Sequence, residues 1–385
     1  MYSEQPSILD ALIDERPFGL SSQIILHDER VICLGLDNGN DAAKITLLND
    51  AGKLISLRIP TAYQPARAFQ GGSGEVTYHL DGLPDFWIGE SAIRNDGRAL
   101  PIGPTAQRLP DPRQHSFLGA CMLEALLAAG YEPGDYVLAV GFAIPNNEIV
   151  VETKAVGDKL GVCEETKTAL KKYIRNQRWQ LERTDERGKP TSWTLTVRHI
   201  IPQAQSIGTF IAWAKAPSGA TVTDYDALTI LDIGGGDLQR TDVYLKPYRM
   251  TSERIGDGTI DLARALKARL PKAKLNDVTA QHSLVTRQTM EMGRNRKISK
   301  EVDEVLHTNG QDLVGQVLPI LQDNRRYVII TGGGAVLLRD MLLERLATVG
   351  KTQGEDFLLV NHGVASVLNA VGALFAVLFL AAKKG

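Results

Sequence analysis

The chain has 385 residues, 43% of them hydrophobic and 23% charged, which is enough for two or three domains with substantial cores. A formal net charge of −2 excludes a global positive field that would hold nucleic acid nonspecifically. Three widely spaced cysteines, Cys33, Cys121 and Cys163, argue against a disulfide framework and a cysteine zinc site, and fit a reducing, cytoplasmic setting.

Residues 1–30 read as an N-terminal extension, interrupted by Pro17 and Gly19, in which SSQIILHDE adds a strand. Its opening, MYSEQPSILDALIDERP, lacks the basic-then-apolar order of a secretory signal. Three short strands are expected at 31–36, 44–48 and 54–59, and the tight turns DNGND and NDAG predict antiparallel pairing. That order differs from the strand–turn–helix start of a dinucleotide fold. Residues 61–114, rich in Gly and Pro with GGSGE, are expected to be loops around a hairpin in EVTYHLDGLPDFWIG. A helix over FLGACMLEALLAAG is expected to be capped by Ser116 and ended by Gly130, with Leu118, Met122 and Leu126 on one face. DYVLAVGFAIP (135–145) is a buried strand. The segment 151–192 is charged, helical at its start, and turns at TDERGKP. SWTLTVRHIIP is a strand ending at Pro202, and a helix covers 205–215.

The plan then repeats. Strands at 228–232 and 241–246 flank a glycine turn, a further strand lies near 249–255, and DGTIDLARALKARL reads as a helix. Residues 272–321 look mostly helical, and the basic stretch TRQTMEMGRNRKISK (286–300) reads as a solvated helix face or a surface for an adaptor or neighbouring subunit. YVIITGGGAVLLRDML is strand, glycine turn, helix; DFLLV is a short strand. The uncharged run 363–382 is long enough to span a bilayer, but Asn369 and its many small residues favour a buried helix, with membrane insertion the minor alternative. Two similar halves suggest a duplicated α/β architecture with a cleft between them.

Three glycine turns carry the chemistry. In DNGNDAAK, Asp37 just past a buried strand can hold a metal ion through water while backbone amides at Gly39 meet phosphate, and Lys44 can compensate phosphate charge. An ordinary hairpin with a surface lysine would carry the same residues. In DIGGG, Asp232 supplies a second carboxylate, and Gly234, Gly235 and Gly236 allow phosphate against the backbone. Gly332, Gly333 and Gly334 open a helix and leave room for a flat base or ribose. None of these is a P-loop or a G-x-G-x-x-G fingerprint.

Taken in order, DNGNDAAK (37–44), DIGGG (232–236) and TGGGAVL (331–337) resemble the two phosphate motifs and the adenosine motif of the actin-like ATPases. Within that superfamily, VGFAIPNNE, VRHIIPQAQSIGTF and LNAVGAL are most similar to the bacterial plasmid-segregation actins (ParM/StbA-like) and their archaeal relatives. The resemblance implies an α/β actin-like fold of two duplicated, ribonuclease H-like domains flanking a nucleotide cleft. It places the first domain at 31–205, with the closing helix 364–382 packed back on it, and the second at 206–363. It implies ATP or ADP with magnesium, and GTP stays open because no residue identified reads the base edge. By the same resemblance Asp37 and Asp232 hold the magnesium-water shell and Gln203 orients the hydrolytic water. Lys44 approaches the phosphates, and Asp257 approaches the ribose. Asp237 departs from the pattern, standing where a threonine is usual. The implied function is a polymerising ATPase whose dynamic filaments segregate plasmid DNA. Its partners would be copies of itself and a small DNA-binding adaptor at a centromere-like site, with no direct sequence-specific DNA binding. A static nucleotide-binding scaffold and a non-polymerising small-molecule kinase are the alternatives.

Overall fold

The computed structural model describes residues 17–382 apart from 27, 67–74, 96, 155–156, 215–226, 246–247, 292–293 and 324. Most of the N-terminal extension, the glycines of GGSGE and the end of the helix expected at 205–215 therefore lie outside the described residues.

In chain order, β1 (Gln23–Leu26) folds antiparallel onto β2 (Glu29–Asn38), which continues into a meander with β3 (Ala42–Leu48) and β4 (Leu54–Pro60). Every residue of β3 is buried, which is why AAKITLL shows no alternation of polar and apolar positions. The strands β5 (Ala62–Pro65), β6 (Thr77–Leu80), β7 (Phe86–Ile88) and β8 (Arg98–Ala99) form an antiparallel extension, with α1 (Gly89–Arg94) after β7. Next come α2 (Thr105–Arg108), α3 (Pro112–Ala128) and β9 (Asp135–Ile144). A hairpin of β10 (Ile149–Lys154) and β11 (Gly157–Val162) follows, then α4 (Glu164–Tyr173), β12 (Arg178–Thr184), β13 (Pro190–Ala204) and α5 (Gln205–Ala214).

The second half contains β14 (Ala227–Ile233), β15 (Leu238–Leu245), β16 (Tyr248–Gly256), α6 (Ile260–Arg269) and α7 (Asp277–Thr286). After a hairpin of β17 (Gln288–Glu291) and β18 (Arg294–Lys297) come α8 (Ser299–Leu321), β19 (Arg326–Thr331), α9 (Gly333–Leu337) and α10 (Arg339–Thr348). The chain closes with β20 (Phe357–Leu359), α11 (His362–Ala365) and α12 (Leu368–Ala382).

The chain divides into two units. The first gathers Asp14–Ile149, Val162–Gly208 and Asn369–Gly385; the second holds Val150–Gly161 and Thr209–Leu368. In the first unit the sheet runs β4-β3-β2-β9-β13 and continues through β12 into the small strands. Strands β2, β9 and β13 are parallel, while β3 is antiparallel to both of its neighbours. The second unit's sheet runs β16-β15-β14-β19-β20, with β14, β19 and β20 parallel and β15 antiparallel. Both sheets are thus an antiparallel meander whose first strand pairs in parallel with later strands, in the same order. The duplication expected from the repeated hairpin-and-turn pattern is present in the topology.

Each unit has its own core. Leu34, Leu36, Ile45, Phe117, Phe142 and Trp179 are buried in the first, and Leu231, Ile233, Leu266, Val305, Ile330 and Leu338 in the second. Within the first unit, Gly35 and Gly141 sit opposite each other on β2 and β9. A side chain at either would collide with backbone carbonyls of α12, at Ala370 and Ala373 respectively. The apolar terminal run is therefore two helices, with α12 buried along most of its length. Among the described residues no helix is long and apolar enough to cross a membrane.

Four expectations need correction. The helix expected from 117 starts five residues earlier: Asp111 caps it, accepting from Arg113 N at 2.8 Å, while Ser116 Oγ donates to the carbonyl of Pro112. The segment 151–192 opens as a strand hairpin, with the helix α4 later and β12 after it. β13 does not stop at Pro202, because β12 reaches only to Thr196, so the missing Pro202 N–H costs no ladder bond on that side. The run 286–300 is a hairpin between two helices, pairing Gln288–Glu291 with Arg294–Lys297.

Candidate functional site

In the first unit the β2–β3 turn is built by long-range partners. Asp37 faces Lys44 across the antiparallel pair and Ala143 across the parallel one, and Ala143 in turn faces Gln203 of β13. Residues in register project to the same side of a sheet, so Lys44, Asp37, Ala143 and Gln203 form one row. The backbones of Asp37 and Gln203 are two strand spacings apart, roughly 9–10 Å. Between them in the row stands Ala143, whose side chain is a single methyl and which is itself buried. Gln203 Nε2 is buried and has no hydrogen-bond partner among the described residues.

Asp37 Oδ1 accepts a hydrogen bond from Gln205 Nε2 at 2.8 Å, while Oδ2 lies 3.9 Å from Lys44 Nζ. Lys44 is held more closely by Asp41, at 2.8 Å, and Asp41 also accepts from Arg58 at 3.0 Å. Burial pushes the Asp37 carboxyl above its ordinary value, against the opposing pull of Lys44 and the Gln205 hydrogen bond. Burial acts on Asp41 too, but there Lys44 and Arg58 outweigh it and hold the carboxyl well below the usual range. The Lys44 ammonium loses hydration yet is raised by Asp41 and Asp37. The turn thus contains one firmly ionised acid, Asp41, and one acid, Asp37, whose charge is poorly compensated. A cation beside Asp37 would relieve that deficit.

A buried arginine also braces the turn. Arg108, the last residue of α2 and 3% exposed, donates to Asn38 O at 2.7 Å, Asn38 Oδ1 at 3.0 Å, and more weakly to Gly39 O and Asn40 Oδ1 at 3.4 Å. Burial pulls its guanidinium down to about 10, so it remains charged at neutral pH. Gln114 Nε2 also donates to Asn38 Oδ1, at 3.2 Å.

In the second unit, two glycine turns meet. Asp232, 8% exposed at the end of β14, pairs in register with Thr331 of β19, which places Gly332 beside it. Gly332 has φ 92° and ψ 166°, a region open essentially to glycine alone. A side chain there would overlap Asp232 Oδ1 and the carbonyl of Ile233. The turn after β14 closes with Gly234 N donating to Asp237 O at 2.9 Å. Thr259 N donates to Gly234 O at 3.0 Å, and Gln281 Nε2 donates to Gly235 O at 3.0 Å. Gly333, by contrast, has nothing within 4 Å of where a Cβ would stand. Among the described residues no group of three or more His, Cys, Asp or Glu side chains could hold a metal ion.

The structure is similar to that of an archaeal actin homologue, Ta0583, in complex with ADP, at 16% identity and TM-score 0.62 over 91% of this chain and 99% of that one. It is also similar to Bacillus thuringiensis ParM with ATP, at 14% identity and TM-score 0.58 over 91% of this chain and 99% of that one. The apo psk41 ParM protein matches at 15% identity and TM-score 0.58, over 91% of this chain and 98% of that one. No protein-family model matches the chain, and no curated protein is similar to it in sequence. The chain has the actin-like fold. The resemblance drawn from the three glycine turns is borne out at the level of that fold.

Within the actin-like fold, Asp37, Gly39, Lys44 and Gln203 come together in the first unit, and Asp232, Gly234, Gly235, Gly236 and Gly332–Gly334 in the second. Asp257 is exposed and paired with Arg254. Asp237, the departure from the threonine pattern, accepts from Gln239 Nε2 at 2.6 Å through Oδ2. Sequence reasoning missed Asp41, Arg108 and Gln205. Asp41 stands inside the quoted motif, three residues before Lys44, and a buried lysine that near an acid is a usable signal. Arg108 and Gln205 reach the turn from 70 and 168 residues away, and no local pattern marks them.

Proposed function

We propose that the protein is a polymerising actin-like ATPase of the cytoplasm whose filaments segregate plasmid DNA through a small DNA-bound adaptor. The observation that carries the reading is the row of Asp37, Ala143 and Gln203, which sets a buried carboxylate and an amide nitrogen without a partner among the described residues two strands apart on one face of the sheet. The likeness in fold to archaeal and ParM structures supports it.

In this reading Asp37 and Asp232 are the carboxylates that would hold magnesium through water, since a hard cation that keeps its waters suits carboxylates that do not form a protein cage. Magnesium when bound supplies charge neutralisation at the phosphates. Gly39, Gly235 and Gly236 present backbone amides to phosphate oxygens, Gly234 shapes the second turn with its own N–H committed to Asp237 O, and Lys44 adds positive charge at the first turn. Gln203 orients the attacking water; a P–O bond forms at the terminal phosphorus as the bond to the bridging oxygen breaks, so positioning suffices without a strong base. Gly332–Gly334 border the adenosine, and Asp257 approaches the ribose.

The test is 90° light scattering of the purified chain after adding magnesium-ATP, and in parallel magnesium-GTP. A rise that decays as nucleotide is consumed supports the dynamic filament. The Gln203→Ala protein should then turn over ATP at least about 100-fold more slowly with little change in nucleotide affinity. A static scaffold is the second reading, favoured by Asp237 standing in the phosphate turn in place of a hydroxyl; it expects a rise that persists. No rise at any protein concentration sinks both filament readings and favours a small-molecule kinase.

A further inference from the structure

Nothing in the chemistry of the motif DNGND explains why its backbone amides should face outward, toward a ligand. A four-residue polar turn can flip its peptides, and its carbonyls would then repel a phosphate. The structure assigns this choice to Arg108: we propose that Arg108 is a positioning residue that locks the peptide planes of the Asn38–Asn40 turn with their N–H groups turned toward phosphate. The inference rests on the nucleotide reading above and names what makes the first turn an anion site.

Arg108 Nη1 holds the carbonyl of Asn38 at 2.7 Å, and Nη2 reaches the carbonyl of Gly39 at 3.4 Å. Thr61 Oγ1 donates to the same Gly39 carbonyl at 2.9 Å. In a trans peptide the C=O of one residue and the N–H of the next point in opposite directions. Pinning the carbonyls of Asn38 and Gly39 therefore aims the amides of Gly39 and Asn40 away from Arg108. Two successive amides so directed are the start of an anion-binding nest. The guanidinium also places a buried positive charge behind the turn, on the side away from the ligand, where it reinforces the field of the amides without occupying the site.

Arg108 is itself held. Its short helix α2 begins at Thr105, whose N–H and Oγ1 both donate to Glu148 Oε1, at 2.8 and 3.1 Å. Glu148, 5% exposed, accepts from Thr166 Oγ1 through its other oxygen. The buried carboxylate thus fixes the helix that delivers the arginine. Lysine could not reproduce the arrangement, because one ammonium cannot span two carbonyls and the Asn38 amide oxygen in a fixed fork.

The experiment compares the wild-type chain with Arg108→Lys and Thr61→Val, each checked for folding by far-UV circular dichroism and thermal melting. Dissociation constants are measured by calorimetry for ADP and for adenosine, in magnesium. Arg108→Lys is expected to weaken ADP at least about tenfold while adenosine changes less than about threefold. Thr61→Val, which removes a single bond to the Gly39 carbonyl, should weaken ADP by about two- to fivefold with the same sparing of adenosine. A purely structural role would weaken both ligands together, and that result overturns the proposal. So does a folded Arg108→Lys protein that binds ADP like the wild type; if that variant does not fold, an unchanged Thr61→Val protein overturns it instead. Wild-type protein that binds neither ligand removes the nucleotide reading and this inference together, whereas wild-type binding with unaffected variants removes this inference alone.

Discussion

Replacing Gly332 with alanine is expected to destabilise the second unit by about 2–6 kcal/mol, whereas the same change at Gly333 leaves it intact. The figure has two parts. At φ 92° and ψ 166° a non-glycine residue costs about 1–3 kcal/mol in the backbone alone. The added methyl would also stand 2.8 Å from the carbonyl carbon of Ile233, and closer to that oxygen and to Asp232 Oδ1. Forcing such a contact costs about 1–3 kcal/mol more. Gly333 starts α9 with ordinary helical backbone and open space around it, so alanine there is expected to stabilise by about 0.4–1 kcal/mol. Urea unfolding followed by far-UV circular dichroism is the assay. Intrinsic fluorescence would be weighted to the wrong unit, since three of the four tryptophans, Trp87, Trp179 and Trp193, lie in the first. The pair also separates stability from function: Gly333→Ala should lose affinity for adenosine nucleotides while keeping its fold. Gly332→Ala unfolding within about 0.5 kcal/mol of the wild type would refute the reasoning, because the backbone cost at that position could not then be real.

The two acids of the first turn should respond oppositely to amidation. Asp37 is raised in the fold, so stability falls as pH rises from the ordinary carboxylate value through its folded value; Asp37→Asn should raise the melting midpoint at pH 7.5, less so near pH 4, while weakening magnesium-nucleotide binding. Asp41 is lowered, so its contribution is present above the ordinary carboxylate value and lost as pH falls through its folded value; Asp41→Asn should lower the midpoint at pH 7.5. Within the first unit, Gly372→Ala drives a methyl against the backbone of Gly208 and should cost about 1–3 kcal/mol by denaturant unfolding, separating α12 from α5. In the second unit, Asp242 is 6% exposed and binds Thr229 Oγ1 at 2.6 Å, Arg240 at 2.8 Å and Arg326 at 2.9 Å. Asp242→Ala should cost about 1–3 kcal/mol, because it removes the acceptor of Thr229 Oγ1 and one partner of each arginine, while Arg326 keeps Asp323 at 3.0 Å and Arg240 keeps Glu253 at 3.6 Å. Its nucleotide affinity, measured on the folded protein, should not change, because the cluster lies three rows along β14 from Asp232.

The signals that can be read from the chain alone are local. A buried strand is a hydrophobic run, an acid before glycine marks where the run must turn, and these signals lie within ten residues of one another. Hence the meander of β2, β3 and β4, the turns at Asp37 and Asp232, and the strand–glycine–helix passage at Gly332 were all legible. The hairpin β17–β18 was not, because its charged residues carry helix propensity as well as strand propensity, and pairing chose between them. Nor was the start of α3, where Asp111 and the following proline outcompeted Ser116 as a helix beginning. How the turns are furnished depends on contacts between distant parts of the chain. The register of β2, β9 and β13 set Gln203 on the row of Asp37. Chain returning from afar brought Gln205 to its carboxylate and Arg108 to the carbonyls of Asn38 and Gly39. The physical reason is that a buried polar group must find a partner wherever the fold brings one, and sequence distance places no limit on which residue that is.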